Sequence, residues 1–79
     1  MRKLKTVRVT WVDATGRSPW DTEEEHMAKP MAVIESVGHL LKRGRKTVSI
    51  AMSHDIVHGG VADTLHVPRG CIQSIEVLA

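Results

Sequence analysis

The sequence predicts an all-β domain of five short strands that close into a small barrel, with a long loop after the first strand. Apolar and polar residues alternate in several short segments, and Val and Ile, which favour pleated sheets, are abundant. Near the C-terminus, two such segments flank Pro68, Arg69 and Gly70. Pro68 lacks the amide hydrogen that a central strand needs, and Gly70 can adopt a positive φ. The chain is therefore expected to turn a sharp corner there, as very small barrels do where they close.

The first strand is predicted over residues 3–13. Val7, Val9 and Trp11 share one face of this segment and are expected to enter the core. A chain of 79 residues has room for one domain, residues 1–79.

Residues 14–29 are polar and are predicted to form the long loop. Within it, Thr22 and Glu25 have the spacing of a capping box, which fits a single helical turn before Pro30. Trp20 lies in the same loop, and it either folds back as a lid over the barrel or stays exposed for a partner. We predict the lid.

Residues 31–42 fit two patterns. A helix is supported by the spacing of the apolar residues Met31, Ile34, Val37 and Leu41. A strand is supported by β-branched residues and by Gly38, which costs a helix interior about 1 kcal/mol. We predict a strand, because the next segment needs a partner.

The remaining strands are predicted over residues 46–53, 62–67 and 71–78, with a loop over residues 54–61. Alternation is clearest in residues 46–53. The loop carries Gly59 and Gly60 at its tip.

Three segments together resemble an Sm-like or SH3-like barrel: Val37–Leu41, Thr47–Ala51 and Val67–Ile75. The chain also resembles short proteins encoded by bacteriophages, on the strength of Trp11-Val12-Asp13 and Trp20. An Sm-like N-terminal helix and the Asp and Asn signature of the Sm-like RNA site are not recognisable. The resemblance therefore supports the fold better than it supports an RNA function.

Composition predicts a soluble, cytoplasmic protein that binds no membrane. The N-terminus has no apolar signal segment, and no apolar run approaches the roughly 20 residues of a transmembrane helix. Cys71 is the only cysteine, which excludes a disulfide framework and favours a small apolar role for this residue. Because so small a domain is marginally stable alone, we expect a homo-oligomer.

The strongest charge cluster is the predicted turn that contains Lys42, Arg43, Arg45 and Lys46. The Arg side chains match phosphate oxygens, so this turn is a candidate phosphate clamp. The cluster is extended if other cations lie on its side, namely Arg2, Lys3, Lys5 and Arg8. The acidic run at residues 23–25 indicates that the basic surface is one-sided.

No motif predicts an enzyme, a metal site or a cofactor. There is no Gly-rich phosphate loop, and the adjacent residues Ser53, His54 and Asp55 cannot form a catalytic triad. His54 and His58 lie in a Gly-rich loop without the helix that would direct both rings to one metal ion.

The sequence therefore predicts a non-enzymatic protein of phage origin that binds a phosphate-bearing ligand. That ligand is nucleic acid or a nucleotide, and the protein could act as a sponge for a signalling nucleotide. The candidate ligand-binding residues are Trp20, Lys42, Arg43, Arg45, Lys46, His54 and Arg69. The alternative is a module that docks on a host protein through a sheet edge or through Trp20.

Overall fold

The computed structural model describes residues 3–79, which form one five-stranded antiparallel sheet. The strands are β1 (Thr6–Asp13), β2 (Ala32–Arg43), β3 (Thr47–His54), β4 (Val61–Pro68) and β5 (Ile72–Val77). Their spatial order is β4-β3-β2-β1-β5. The helical elements are α1 (Glu23–Met27) and a 3-10 turn over Arg69–Cys71.

The all-β prediction is confirmed, and residues 31–42 are strand. The first part of β2, Ala32 to His39, pairs with β1, and its last part, His39 to Arg43, pairs with β3. As a strand, this segment pairs with the backbone N–H and C=O groups of both β1 and β3. A helix here would leave those groups of β1 and β3 unpaired.

The predicted closure into a barrel is wrong. The corner at Pro68 is present, but the chain passes from β4 to β5 through a single 3-10 turn. After it, β5 pairs with β1 but forms no ladder with β4, the pairing that closure of the barrel would need. The sheet is consequently open, with β4 and β5 as its two edges.

The core is small and is built by β1, β3 and β4. Its buried apolar residues are Val7, Val9, Val48, Ile50, Ala51 and Val67. Trp11 packs against this cluster and is half-buried, and its Nε1 donates to Ser36 Oγ (3.0 Å). The predicted core role of Trp11 is therefore met in part. Cys71 is a half-buried free thiol in the 3-10 turn.

Gly38 lies close to the backbone of β3, beside Ala51 and Ile50. A Cβ atom at this position would be 2.8 Å from the carbonyl oxygen of Ala51 and 3.3 Å from the Cβ of Ile50. Only glycine leaves space for this approach. Three residues further on, the register between β2 and β3 shifts around Leu41, which is typical of a β-bulge.

The loop between β1 and β2, residues 14–31, projects as an arm that contains α1. The predicted capping box is confirmed on one side, since the Glu25 amide donates to Thr22 Oγ1 (3.2 Å). The described part of the chain measures 55 × 21 × 20 Å. Within residues 3–79, no helix has the length and apolarity to cross a membrane.

Candidate functional site

The turn between β2 and β3 holds the predicted basic cluster at one end of the sheet. The Gly44 amide donates to the Thr47 carbonyl (2.9 Å), which closes the turn. An open hollow of about 730 Å³ lies beside it and is lined by Lys42, Gly44, Arg45, Lys46 and Thr47. The four basic side chains of the turn are exposed. They are free to meet a ligand without any rearrangement of the core.

Arg69 joins this cluster through the corner before β5. Its amide donates to the Lys46 carbonyl (2.8 Å), and the preceding residue, Pro68, lies opposite Thr47 in the β3–β4 register. The backbone contact therefore brings the 3-10 turn against the basic turn. The structure unites Arg69 with the residues that were assigned to the same ligand.

The segment before β1 adds two further cations. The Leu40 amide donates to the Lys5 carbonyl (2.7 Å), and a hollow of about 240 Å³ is lined by Lys3, Lys5, Lys42 and Arg43, among others. The predicted extension of the cluster thus holds for Lys3 and Lys5.

The extension fails for Arg8 because carboxylates hold its side chain elsewhere. The Arg8 guanidinium pairs with Glu35 (3.2 Å) and Glu76 (2.8 Å) on the face of the sheet. Arg2, the remaining predicted member, lies outside the described residues.

We call the assembled group the cationic end. It comprises seven of the eleven Lys and Arg residues of the chain: Lys3, Lys5, Lys42, Arg43, Arg45, Lys46 and Arg69. None of the seven has an ion pair with a carboxylate of residues 3–79, whereas Arg8 and Arg17 do. Positive charge that is concentrated on a small surface and is not neutralised by carboxylates attracts anions. The acidic run is on the arm, at the opposite end of the 12-residue strand β2.

Trp20 lies away from the cationic end, and the predicted lid is wrong. Its side chain is fully exposed on the arm. Local hydrogen bonds hold the arm to itself: Arg17 pairs with Asp21, and His26 Nε2 donates to the Pro19 carbonyl (2.9 Å). With its polar groups satisfied locally, the arm has no contact that would draw Trp20 over the core.

His54 ends β3 at the terminus opposite the basic turn. Its ring packs edge-to-face on His39, with the ring centroids 5.8 Å apart. No group of three or more potential metal ligands occurs among the residues that the structure describes.

The loop after His54 is closed by Asp55. Asp55 Oδ1 accepts hydrogen bonds from the amides of Val57 (3.0 Å) and His58 (3.1 Å), and Oδ2 accepts one from His58 Nδ1 (3.1 Å). The amide of His58, followed by the amide of Val57 and the His58 side chain, lowers the pKa of Asp55 below its ordinary value of 3.8. The loop was predicted from Gly59 and Gly60, but the role of Asp55 in closing it was not.

Acid is therefore expected to open this loop only below the ordinary pKa of an aspartate. A carboxylate whose pKa is lower in the folded state stabilises the folded state fully at pH values above 3.8. This contribution to stability disappears as the pH falls through the lower pKa of the folded state. The amide chemical shifts of Val57 and His58, followed by NMR between pH 6 and pH 2, measure the transition. Asp55→Asn should abolish it. A midpoint at or above 3.8 in the wild-type chain would contradict the assignment.

A third hollow, of about 590 Å³, was not foreseen. Four of its lining residues are apolar, and the full set is Leu4, Leu41, His54, Val57, His58, Gly59 and Val61. Leu4 and Leu41 also line the hollow that carries Lys3, Lys5, Lys42 and Arg43, so the two hollows adjoin at these two side chains. The sequence feature that could have indicated this hollow is the position of each leucine next to lysine, where a polar surface residue would be expected.

Comparison with protein-family models, curated proteins and solved structures finds no match for this chain. Its functional interpretation therefore rests on the geometry described above.

Proposed function

We propose that this protein is a non-enzymatic binding protein whose cationic end holds the phosphate groups of nucleic acid. The observation that carries the proposal is the convergence of three separate segments that carry seven Lys and Arg residues, with no carboxylate paired to any of them within residues 3–79. Arg and Lys side chains bind phosphate through charge-assisted hydrogen bonds.

Nucleic acid is preferred over a free nucleotide because the cations are spread over open surface. They line two shallow hollows and an adjoining corner instead of one enclosed pocket. A polymer with regularly spaced phosphates can contact all of them at once, and each contact releases condensed counterions. A sponge for a signalling nucleotide requires an enclosed site, which a subunit interface would have to complete.

The proposal of a non-enzymatic role has support in the side chains that could act as nucleophile and base. Ser49 Oγ and His66 Nδ1 share a hydrogen bond of 2.7 Å. Ser49 is buried, so its hydroxyl is not exposed to a substrate.

We include in this proposal a distant relationship to Sm-like or SH3-like proteins, a homo-oligomeric state and a cytoplasmic location. Five short strands and a one-turn corner before the last strand support the first. Two unpaired sheet edges and a core of six buried apolar residues support the second. Native mass spectrometry would report the subunit count. A phage origin is part of the same proposal.

A salt titration tests the proposed function. Binding of a single-stranded 20-mer should weaken steeply with salt, because each phosphate contact contributes about −0.7 to the slope of log affinity against log salt concentration. Contact of the cationic end with four phosphates predicts a slope of about −3. Fluorescence anisotropy between 50 and 300 mM NaCl measures it. A slope near zero, or no binding at 50 mM NaCl, would contradict the proposal.

A second candidate function is docking on a protein, which for a phage factor is a protein of the host. The observation that favours it is the arm, where Trp20, Met27 and Met31 are exposed within a short stretch of chain. Tryptophan is enriched at binding hot spots.

Trp20→Ala is expected to leave the fold intact, because the side chain contacts no core residue. Thermal unfolding followed by circular dichroism checks this expectation. If the same variant also loses capture of a host protein that binds the wild-type chain, docking is the function. If capture is unchanged, the arm is not the docking surface.

A further inference from the structure

The apolar hollow beside the cationic end has the size and composition of a small-ligand site. Its volume of about 590 Å³ falls within the roughly 300–1,000 Å³ that is typical of such sites. Leu4, Leu41, Val57 and Val61 supply apolar surface, and His54 and His58 supply two flat polar rings.

The two imidazoles are held in place by neighbours. His54 packs edge-to-face on His39, and His58 is bound through its side chain and its amide to Asp55. The Gly59 amide donates to the Asp55 carbonyl (2.7 Å), which fixes the rest of the loop. Rings held in this way can stack on a flat ligand at little further entropic cost.

The position of the hollow selects its ligand. Leu4 and Leu41 form the boundary with the hollow lined by Lys3, Lys5, Lys42 and Arg43. A molecule that extends from one hollow to the other must be flat and largely apolar at one end and anionic at the other. A nucleobase joined to its phosphate has this character, and histidine is among the side chains on which bases stack.

We propose that this hollow receives an unpaired nucleobase while the phosphate of the same nucleotide lies on Lys3, Lys5, Lys42 and Arg43. The inference rests on the proposed function and adds to it a preference for single strands over duplexes, because duplex bases are stacked and unavailable. The chain has no Phe or Tyr, and Trp20 is on the distant arm, whereas His54 and His58 line this hollow directly.

The test compares two fluorescent 10-mers that carry the same phosphates: oligo(dT) and an oligomer of abasic tetrahydrofuran units. The full-length wild-type chain is expected to bind oligo(dT) roughly 5- to 100-fold more tightly, which is the range that loss of a base stack produces. In the variant His54→Ala/Val57→Ser this ratio should fall towards one, with abasic binding unchanged. Competition with dTMP shows whether the hollow takes the base of a free mononucleotide or only a base that belongs to a strand.

Val33→Ser is the matched control, because Val33 is also an exposed valine but lies near the start of β2, away from the hollow. It should keep the full ratio. A wild-type ratio below about twofold, or a ratio that the hollow variant does not change, would overturn the inference while leaving phosphate binding intact. Failure of both oligomers to bind would overturn the inference together with the proposed function.

Discussion

Replacing Lys42, Arg43, Arg45 and Lys46 together by Ser is expected to weaken binding of a single-stranded 20-mer by roughly 10²- to 10³-fold at 0.1 M salt. Four lost phosphate contacts at about −0.7 each remove close to three powers of ten at that salt concentration. The four side chains are exposed and have no ion pair within residues 3–79, so their removal should leave the sheet intact. Fluorescence anisotropy gives the affinity, and circular dichroism checks the fold.

Two double variants distinguish the effect of the cationic end on binding from the effect of the net charge of the chain. Arg45→Ser/Lys46→Ser and Arg17→Ser/Lys29→Ser each remove two positive charges from a chain of formal net charge +2. The first pair is on the cationic end and the second is on the arm. We expect a loss of at least about tenfold for the first and less than about twofold for the second. Equal losses would show that overall charge, and not the cationic end, governs binding.

Gly38→Ala is expected to destabilise the fold by about 1–3 kcal/mol, because a Cβ atom would lie 2.8 Å from the Ala51 carbonyl oxygen. That oxygen belongs to the backbone of β3, so relief of the clash requires the two strands to separate. At about 4–8 °C per kcal/mol in a domain of this size, the melting temperature should fall visibly. Differential scanning calorimetry measures it.

Gly16→Ala provides the control for that variant. Nothing lies within 4 Å of a Cβ atom at Gly16, and its φ is not in the positive region. Its effect should stay within about 0.5 kcal/mol. If Gly38→Ala destabilised the fold as little as Gly16→Ala, the close approach of β2 to β3 at Gly38 would not be a feature of the folded chain.

The strands were predictable because each depends on local alternation. Segment 31–42 was the hard case, and the need of β1 and β3 for a partner decided it correctly. Barrel closure depends instead on which distant edges meet. The pairing of β5 with β1, at a separation of more than sixty residues, cannot be read from the pattern around Pro68.

The candidate site was predictable in part for the same reason. The basic turn is contiguous in sequence, and it was recognised. Its enlargement by Lys5 and Arg69 depends on two long-range backbone hydrogen bonds, which the Leu40 amide donates to the Lys5 carbonyl and the Arg69 amide donates to the Lys46 carbonyl. The lid prediction for Trp20 failed because polar contacts inside the arm, which a hydrophobicity argument does not weigh, keep the arm apart.

An NMR titration of the ¹⁵N-labelled chain with oligo(dT) tests most directly whether phosphates bind at the cationic end. We expect the largest amide shift changes at residues 3–5, 42–47 and 69–70, with the 14–31 arm unaffected. Changes concentrated on the arm, with none around the basic turn, would contradict the account.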